Sequence, residues 1–567
     1  MKILINNDYA KIEDASKECI DLIDDELAVR QNGYFFSPSF KNGYWDGYIR
    51  FLDKKTNTFP TGLLSAVLKV VEDAEVIDER KLRDIQIPNS IDLIEPDAPG
   101  GKITLRDYQL EAVTNGLRAS RGIVNVATNG GKTEIASGII KTLLPYLANE
   151  ERILFVTHNK EIFHQSAERI SKRLGLPVGK VGDGVWDVKQ VTVVMIPTVS
   201  RHIKKPKAKK DDKFYTKEMK SVKFLIDLLG SALKKDENNR ETLINVVQLL
   251  EDESGKNRDQ LAIDILTNII TTEKSDNGCL NAFKKLKKDL VEFEEKKLKK
   301  ASQKHEEVIA LLESAVCFIG DEAHHSSSST WYDTLMLCKN AIYRFGLTGT
   351  VDKKDPINVM RLFGCMGDIV TKISNEYLIE KGFSAKPTIH LQEVSTPKLP
   401  RKITFQEAYE EGIVENVYRN MLIADKVKEK YEEGKGCLVI VNRKKHGENI
   451  QKLLEEREVE CEFTHGSFSD REKVLDDMKS GKLKVLIATT ILDEGVDVSG
   501  INCLWMAAGG KSFRQLLQRV GRGLRRKEDG SGLEVYDYLD YTQEYLTKHT
   551  QERYGYYKNE NFEIKKV

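Results

Sequence analysis

The run IVNVATNGGKTEIA at 123–136 passes from an apolar strand through a glycine-rich turn into the start of a helix. In that order the backbone N–H groups of Asn129 through Thr133 sit at a helix N-terminus and can point at phosphate oxygens. Gly130 and Gly131 let the backbone approach without a Cβ. Lys132 reaches the β- and γ-phosphates, and the Thr133 hydroxyl can ligate Mg²⁺. Ala127 stands where the strict form of the pattern has its first glycine, so an ordinary βα turn carrying a chance GKT is the competing reading. A second run weakens that competitor. Ala315–Gly320 is an apolar strand ending in Asp321-Glu322-Ala323-His324. At such a strand end a carboxylate, here Asp321, holds Mg²⁺ through water. Glu322 is placed to polarise an attacking water as general base. Alone, an Asp-Glu pair is commonplace in a solvated loop; on the sheet that carries GKT it describes a site for ATP and Mg²⁺.

Both runs need a parallel sheet to hold them, and the surrounding sequence supplies one. Residues 102–202 alternate apolar, β-rich runs (Gly122–Ala127, Arg152–Thr157, Val191–Ile196) with helical patterns, as a parallel sheet covered on both faces requires. The rhythm stops at about 203 and resumes at Ala315–Ile319. The interval 203–305 is largely helical by periodicity and holds 24 Lys and Arg against 18 Asp and Glu. A long antiparallel helix pair is expected there, either a solvated excursion or a DNA clamp or strand-separation element. A second alternating series, Gly436–Val441, Val485–Thr489 and Asn502–Ala507, marks another parallel sheet. Ahead of both, short strands (Lys2–Ile5, Tyr48–Leu52) mix with helical periodicity (Ala10–Leu27, Leu63–Asp73), and Pro88–Gly101 reads as a linker. The expected division is 1–98, a small α+β domain; 99–202 with 306–395, the first lobe; 203–305, the insertion; 396–540, the second lobe; and 541–567, a helical tail crowded with Tyr and Lys.

Composition narrows the class without choosing the function. A chain of 567 residues exceeds one ordinary domain, and 31% charged with 40% apolar residues suits a soluble, polar protein. Formal net charge is zero, so a surface for a polyanion must be local. No two of the eight cysteines have CxxC spacing, which speaks against a zinc ribbon or disulfide framework and for a reducing compartment. The start MKILINNDYA is too briefly apolar for a signal peptide, and no stretch approaches membrane-spanning length. A cytoplasmic protein is the expectation, in the host cytoplasm if phage-encoded.

The order and spacing of the motifs resemble those of the superfamily 2 helicases. Leu105-Arg106-Asp107-Tyr108-Gln109 is similar to their Q-type motif, which implies that Gln109 reads the adenine edge with Arg106 in support. Thr157-His158-Asn159 resembles motif Ia, and Ile196-Pro197-Thr198-Val199 the later strand-end motif on nucleic-acid backbone. Gly346-Leu347-Thr348-Gly349-Thr350 resembles the motif that couples ATP state to the lobe interface, with His324 in the same coupling role through a hydrogen bond. In the second half, Val439–Arg443 is similar to motif IV, Thr489 through Asp497 to motif V, and Gln518-Arg519-Val520-Gly521-Arg522-Gly523-Leu524-Arg525 to motif VI. The resemblance implies α/β architecture with two tandem RecA-like lobes that close on ATP, Gly495 and Asp497 against the nucleotide, and Asn442 and Thr489 on nucleic acid. A guanidinium offered from the second lobe neutralises charge on the transferring phosphoryl group only when the cleft closes. Arg522 and Arg525 fit that finger role, with Gln518 and Arg519 bracing it; the i, i+3, i+6 spacing equally fits a solvated phosphate-binding face.

A narrower resemblance lies in Gly33 through Arg50, GYFFSPSFKNGYWDGYIR, which is similar to the N-terminal segment of the phage UvsW-like helicases, as Tyr545–Tyr554 is to their C-terminal helix. That resemblance implies a small nucleic-acid-binding domain ahead of the motor. It also implies action on branched DNA (forks, Holliday junctions, R-loops) in recombination, repair and replication. Phe35, Phe40, Tyr44, Trp45 and Tyr48 are interleaved with Lys41 and Arg50, so rings can stack on bases while the cations meet phosphate. For the rings, the core of a small sheet and its turns is the favoured reading; for the cations, which cannot be buried unpaired, it is phosphate contact. The lobes would add contacts near Thr157, His158, Thr198, Asn442 and Thr489, blind to sequence. The expected partner is DNA, branched or double-stranded with tracking along one strand, bound by a monomer that works beside single-strand-binding or recombination proteins. A restriction-type translocase or an RNA helicase would share every motor motif. A nucleic-acid-binding or annealing factor with an incidental ATPase is the alternative of another class, disfavoured by the intact lysine, acidic pair and arginines.

Overall fold

The computed structural model describes residues 1–567 apart from 128–129, 207–214, 230–231, 234–237, 253–259, 324–328, 350–354, 384–386, 466–470, 490–500, 511–531 and 560. Contacts divide the chain into two units, Met1–Thr198 with Glu313–Val567, and Val199–Leu312.

The first unit begins with a four-stranded sheet of β1 (Lys2–Ile5), β2 (Tyr9–Glu13), β3 (Thr58–Pro60) and β4 (Glu75–Asp78), in the order β3-β2-β1-β4. Alternation builds it: Ile3, Ile5, Ala10 and Ile12 point inward on a period of two and are buried with Phe59. The helical stretch expected over Ala10–Leu27 is therefore β2 followed by a shorter helix, Lys17–Glu26, whose N-cap Ser16 accepts from Cys19 N–H. A separate hairpin pairs Ala28–Arg30 with Tyr48–Arg50. This domain is fastened to the first lobe. Gly62 lies so close to it that a Cβ would come within 2.0 Å of the Phe363 carbonyl. Arg121 Nη2 donates to Asn7 O (2.8 Å), Ser65 bonds Asp368, and Met360 and Phe363 pack on the small domain's core.

The first RecA-like lobe holds β5 (Arg121–Val126), β6 (Arg152–Thr157), β7 (Gly179–Gly182), β8 (Val185–Asp187), β9 (Val191–Met195), β10 (Ala315–Asp321), β11 (Tyr343–Thr348) and β12 (Ile369–Ile373). They run β8-β7-β9-β6-β10-β11-β5-β12, parallel except for the edge pair β7-β8. Strands covered on both faces need continuous apolar runs, and Ile153–Val156, Val191–Val194 and Ala315–Ile319 are buried throughout. The stretch read as a linker carries part of this core: Asp92–Ile94 pairs with Lys102–Thr104, and Ile91 and Leu93 are buried in the lobe.

The second RecA-like lobe holds β13 (Thr388–Val394), β14 (Cys437–Val441), β15 (Glu462–Thr464), β16 (Val485–Thr489), β17 (Cys503–Trp505), β18 (Glu534–Asp540) and β19 (Glu563–Lys566), ordered β15-β16-β14-β17-β18-β13-β19 and parallel throughout. The tail joins it: the helix Glu544–Asn559 packs on β18, and β19 extends the sheet's edge beside β13.

The second unit interrupts the first lobe between β9 and β10. In place of one antiparallel pair it has Lys217–Leu229, Asn239–Asp252 and Gln260–Thr272 gathered on the N-terminal part of a 38-residue helix, Asp276–Glu313. Leu225, Leu243, Leu266, Leu280 and Phe283 form its core.

Candidate active site

Parallel packing brings the carboxyl ends of three neighbouring strands together, the position where α/β sheets bind ligands. β10 ends at Asp321, which faces Leu347 on β11, and Thr348 on β11 faces Asn125 on β5. The phosphate turn follows β5. Ala127 N–H is tied to Ile373 O at 2.9 Å, and Gly130 N–H to Ala127 O at 3.0 Å. Gly131 takes a left-handed φ of +79° as the N-cap of the helix Lys132–Leu143. The left-handed φ favours glycine there, and a Cβ would also press on the Gln109 side-chain nitrogen at 2.2 Å.

Lys132 and Thr133 occupy the first turn of that helix, both half-buried. The Lys132 ammonium is ion-paired with the Glu322 carboxylate, their side chains 17% and 20% exposed. Glu322 has a left-handed φ of +47°, an uncommon conformation for a residue with a Cβ, and donates its N–H to the Asp321 carboxylate at 3.0 Å. The helix is braced from behind. Glu134 accepts from Arg169 (2.6 Å) and Arg173 (3.3 Å) on the helix Lys160–Leu174. Burial alone would raise the Glu134 carboxyl, but Arg169 and Arg173 outweigh it and hold it below the ordinary range. Sequence reading passed over this brace, although a glutamate directly after GKT and two arginines one helical turn apart were its signal.

Gln109 bridges two elements: Nε2 donates to Gly130 O (3.1 Å) and Oε1 accepts from Arg106 N–H (3.0 Å), closing a capping box. Arg106 lies 4.1 Å over the Phe383 ring and donates to the Tyr108 hydroxyl at 3.2 Å. Phe383 was not foreseen, since nothing in its local sequence distinguishes it.

Thr157 ends β6 and is buried; His158 lies 6.3 Å ring to ring from Trp331; Thr198 sits half-buried in the short helix Ile196–Val199. In the second lobe Thr489 ends β16 and Asn442, exposed, follows β14. Among the described residues the buried hydroxyls of Thr157 and Thr489 have no hydrogen-bond partner. In the small domain Lys41 is exposed, while Trp45 Nε1 donates to Tyr48 O (2.7 Å) and Arg50 is committed to Asp24 (3.1 Å) and Asp46 (2.6 Å). Arg50 in turn holds the Asp46 carboxyl down to about 2. Asn129, His324, Thr350, Gly495, Asp497, Gln518, Arg522 and Arg525 lie outside the described residues.

The chain leading toward motif VI is fixed by polar groups inside the second lobe. Tyr409 donates to Ala508 O (2.6 Å), Arg419 to Ala507 O (2.8 Å) and Arg553 to Gly510 O (3.4 Å). Arg419 also pairs with Asp540 and Arg553 with Asp537, each at 2.8 Å, and Tyr557 joins Asp537 at 2.8 Å. Among the described residues no group of three or more His, Cys, Asp or Glu could hold a metal, and no helix is long and apolar enough to cross a membrane.

Three family models match: residues 3–77 match the N-terminal domain of the DNA helicase UvsW, 102–353 the res subunit of type III restriction enzymes, and 417–527 the helicase conserved C-terminal domain. The ATP-dependent DNA helicase uvsW of Enterobacteria phage T4 is 21% identical over 555 residues, 94% of this chain and 89% of that protein. The DNA 3'-5' translocase XPB2 of Sulfurisphaera tokodaii is 23% identical over 75% of this chain and 80% of its own length. The protein called helicase 22 of Sulfolobus islandicus filamentous virus is 24% identical over 46% of this chain, which spans about half (49%) of that relative.

Proposed function

We propose that this chain, which belongs to the superfamily 2 helicases as a UvsW-like, ATP-hydrolysing member, uses ATP turnover to remodel branched DNA. The observation that carries the reading is the joining of a UvsW-type N-terminal domain, residues 3–77, to two RecA-like lobes in one chain. The arrival of ATP offers Lys132 a triphosphate in place of Glu322, and the exchange frees the Glu322 carboxylate to take a proton from the attacking water. The hydroxyl of Thr133 and the carboxylate of Asp321 are hard oxygen donors that suit Mg²⁺, a metal that keeps most of its other positions for water and phosphate. Once bound, the metal would neutralise phosphate charge. Arg522 and Arg525 supply the remaining positive charge from the second lobe on closure. Thr157, Thr198 and Thr489, at or near strand ends, would meet the sugar-phosphate backbone, which suits a motor indifferent to sequence.

The test is ATPase stimulation by forks, Holliday junctions, R-loops, linear duplex, single strands and RNA. The reading expects the branched DNAs to stimulate most, and Lys132→Ala to abolish turnover on all of them with the fold intact. Stimulation by RNA alone, or by linear duplex as strongly as by forks, would sink it.

A further inference from the structure

The six rings between Gly33 and Gly47 divide into two sets. The inner set holds the loop together. Tyr34 packs on Gly47, where a Cβ would come within 2.8 Å of the ring. Phe40 meets Tyr34 edge-on at 4.7 Å, and Trp45 is anchored by its indole N–H on Tyr48 O. The outer set faces solvent: Phe35 is 51% exposed, Phe36 72% and Tyr44 86%. Phe35 and Phe36 lie side by side, centroids 4.3 Å apart and planes at 45°. Of the rings that the sequence allowed in a small core, Phe35 and Tyr44 therefore lie at the surface.

Charge around the rings favours a polyanion. Between Ala28 and Arg50 the sequence has three cations and one carboxylate, Asp46. Arg50 already occupies Asp46 and Asp24. Arg30 is held over Tyr34 at 4.3 Å and Tyr48 at 5.3 Å, and Lys41 is exposed; among the described residues neither pairs with a carboxylate. Bare ring faces beside unspent cations are the combination that binds single strands, bases on rings and phosphates on cations.

We propose that Phe35, Phe36 and Tyr44 form a stacking surface for the unpaired bases of a DNA strand, with Arg30 and Lys41 on its phosphates. Resting on the reading of the chain as a DNA remodeller, this names what its N-terminal domain holds. Because that domain is seated on the first lobe through Gly62, Ser65 and Asn7, bases stacked there are held to the motor itself.

Full-length protein is titrated, without nucleotide, with a short labelled oligothymidylate and an abasic strand of equal length. The wild type is expected to bind the base-bearing strand more tightly. Phe35→Ala/Phe36→Ala should weaken that binding by about tenfold to a hundredfold and leave the abasic strand alone, so the gap closes. Tyr44→Ala should close part of it, and Phe36→Trp should keep it. The Tm of every variant, measured without DNA, stays at the wild-type value, which reports the fold. No gap in the wild type, a gap unchanged in the double variant, or equal loss on both strands would each overturn the proposal; an unchanged gap would point instead to a protein partner on these rings. Failure of fork-selective ATPase stimulation is read separately and leaves this gap measurable.

Discussion

The two lobes repeat one architecture, but the ion pair at the open end of the first sheet and the ion pairs in the core of the second lobe differ in kind. In the first, Lys132 and Glu322 face each other at a sheet's open end, both partly solvated. In the second, Arg419–Asp540 and Arg553–Asp537 lie in the core, with side chains at most 3% exposed. The Lys132–Glu322 pair keeps some contact with solvent, and on the proposed reading a triphosphate displaces Glu322 from it. Breaking a buried pair costs about 3–5 kcal/mol because the abandoned charge stays buried. On the proposed reading the same ion-pair chemistry makes an exchangeable contact at Lys132–Glu322 and a permanent brace at Arg419–Asp540 and Arg553–Asp537, as it does at Glu134–Arg173 behind the first lobe's helix.

Glu322→Gln is the largest test of the exchangeable side. On the proposed reading it removes both the general base and the competitor for Lys132. Turnover should fall by about 10²–10⁴-fold while nucleotide binds more tightly, read by single-turnover hydrolysis and by titration with a fluorescent ATP analogue. Weaker nucleotide binding would show that the pair does not compete with phosphate. On the permanent side, Arg553→Met strands Asp537 and should cost about 3–5 kcal/mol, seen as a fall in Tm that nucleotide does not repair. A variant as stable as the wild type would dissolve the contrast between the lobes.

Much of this contrast was legible in the sequence on the first lobe and little of it on the second. Strands β6 and β16 fall where their apolar runs begin and end, because a strand covered on both faces leaves no polar position to blur it. GGKT and Asp321-Glu322 declare themselves by spacing. Arg419 and Arg553 do not: they lie 134 positions apart in helices (553 − 419), and only the fold brings both onto Asp540. The helical periodicity over Ala10–Leu27 ran together β2 and the helix after it, since no Pro or Gly separates the two in so short a stretch. The insertion's separate core was hidden by its lysines, which colour the composition without lining the interior.

Acid should separate the lobes more gently. His446 is buried in the second lobe with Nε2 on Asn420 Oδ1 at 3.0 Å, and burial, then Arg419, push its pKa well below the ordinary 6.5. Its stabilising contribution is complete above 6.5 and declines as the pH falls, because the unfolded chain gains a proton that the folded lobe refuses. The slope approaches about 1.4 kcal/mol per pH unit. In the first lobe Glu134 is lowered from 4.5, so its contribution is lost only below that value. Tm measured from neutrality down to about pH 5 should fall in the wild type and flatten in His446→Gln. An unchanged slope would mean that the imidazole is protonated in place.

The smallest effect asks whether bracing the backbone matters to catalysis at all. Tyr409 and Gln109 each hold one carbonyl beside a glycine, Ala508 O next to Gly509 and Gly130 O next to Gly131. Tyr409→Phe deletes one hydroxyl from a buried site and leaves Ala508 O without that donor, a loss of about 1 kcal/mol. If the second lobe only anchors the chain ahead of the run that resembles motif VI, the KM for ATP stays put, because on the proposed reading the first lobe grips ground-state nucleotide. The cost then falls on kcat, through arginines that reach the phosphoryl group less often in the right place. Gln109→Ala, acting on the phosphate turn itself, should do the reverse and raise KM first. Steady-state ATPase on one saturating DNA separates the two. A rise in KM for Tyr409→Phe would mean that the second lobe already shapes the empty site and does more than brace the backbone.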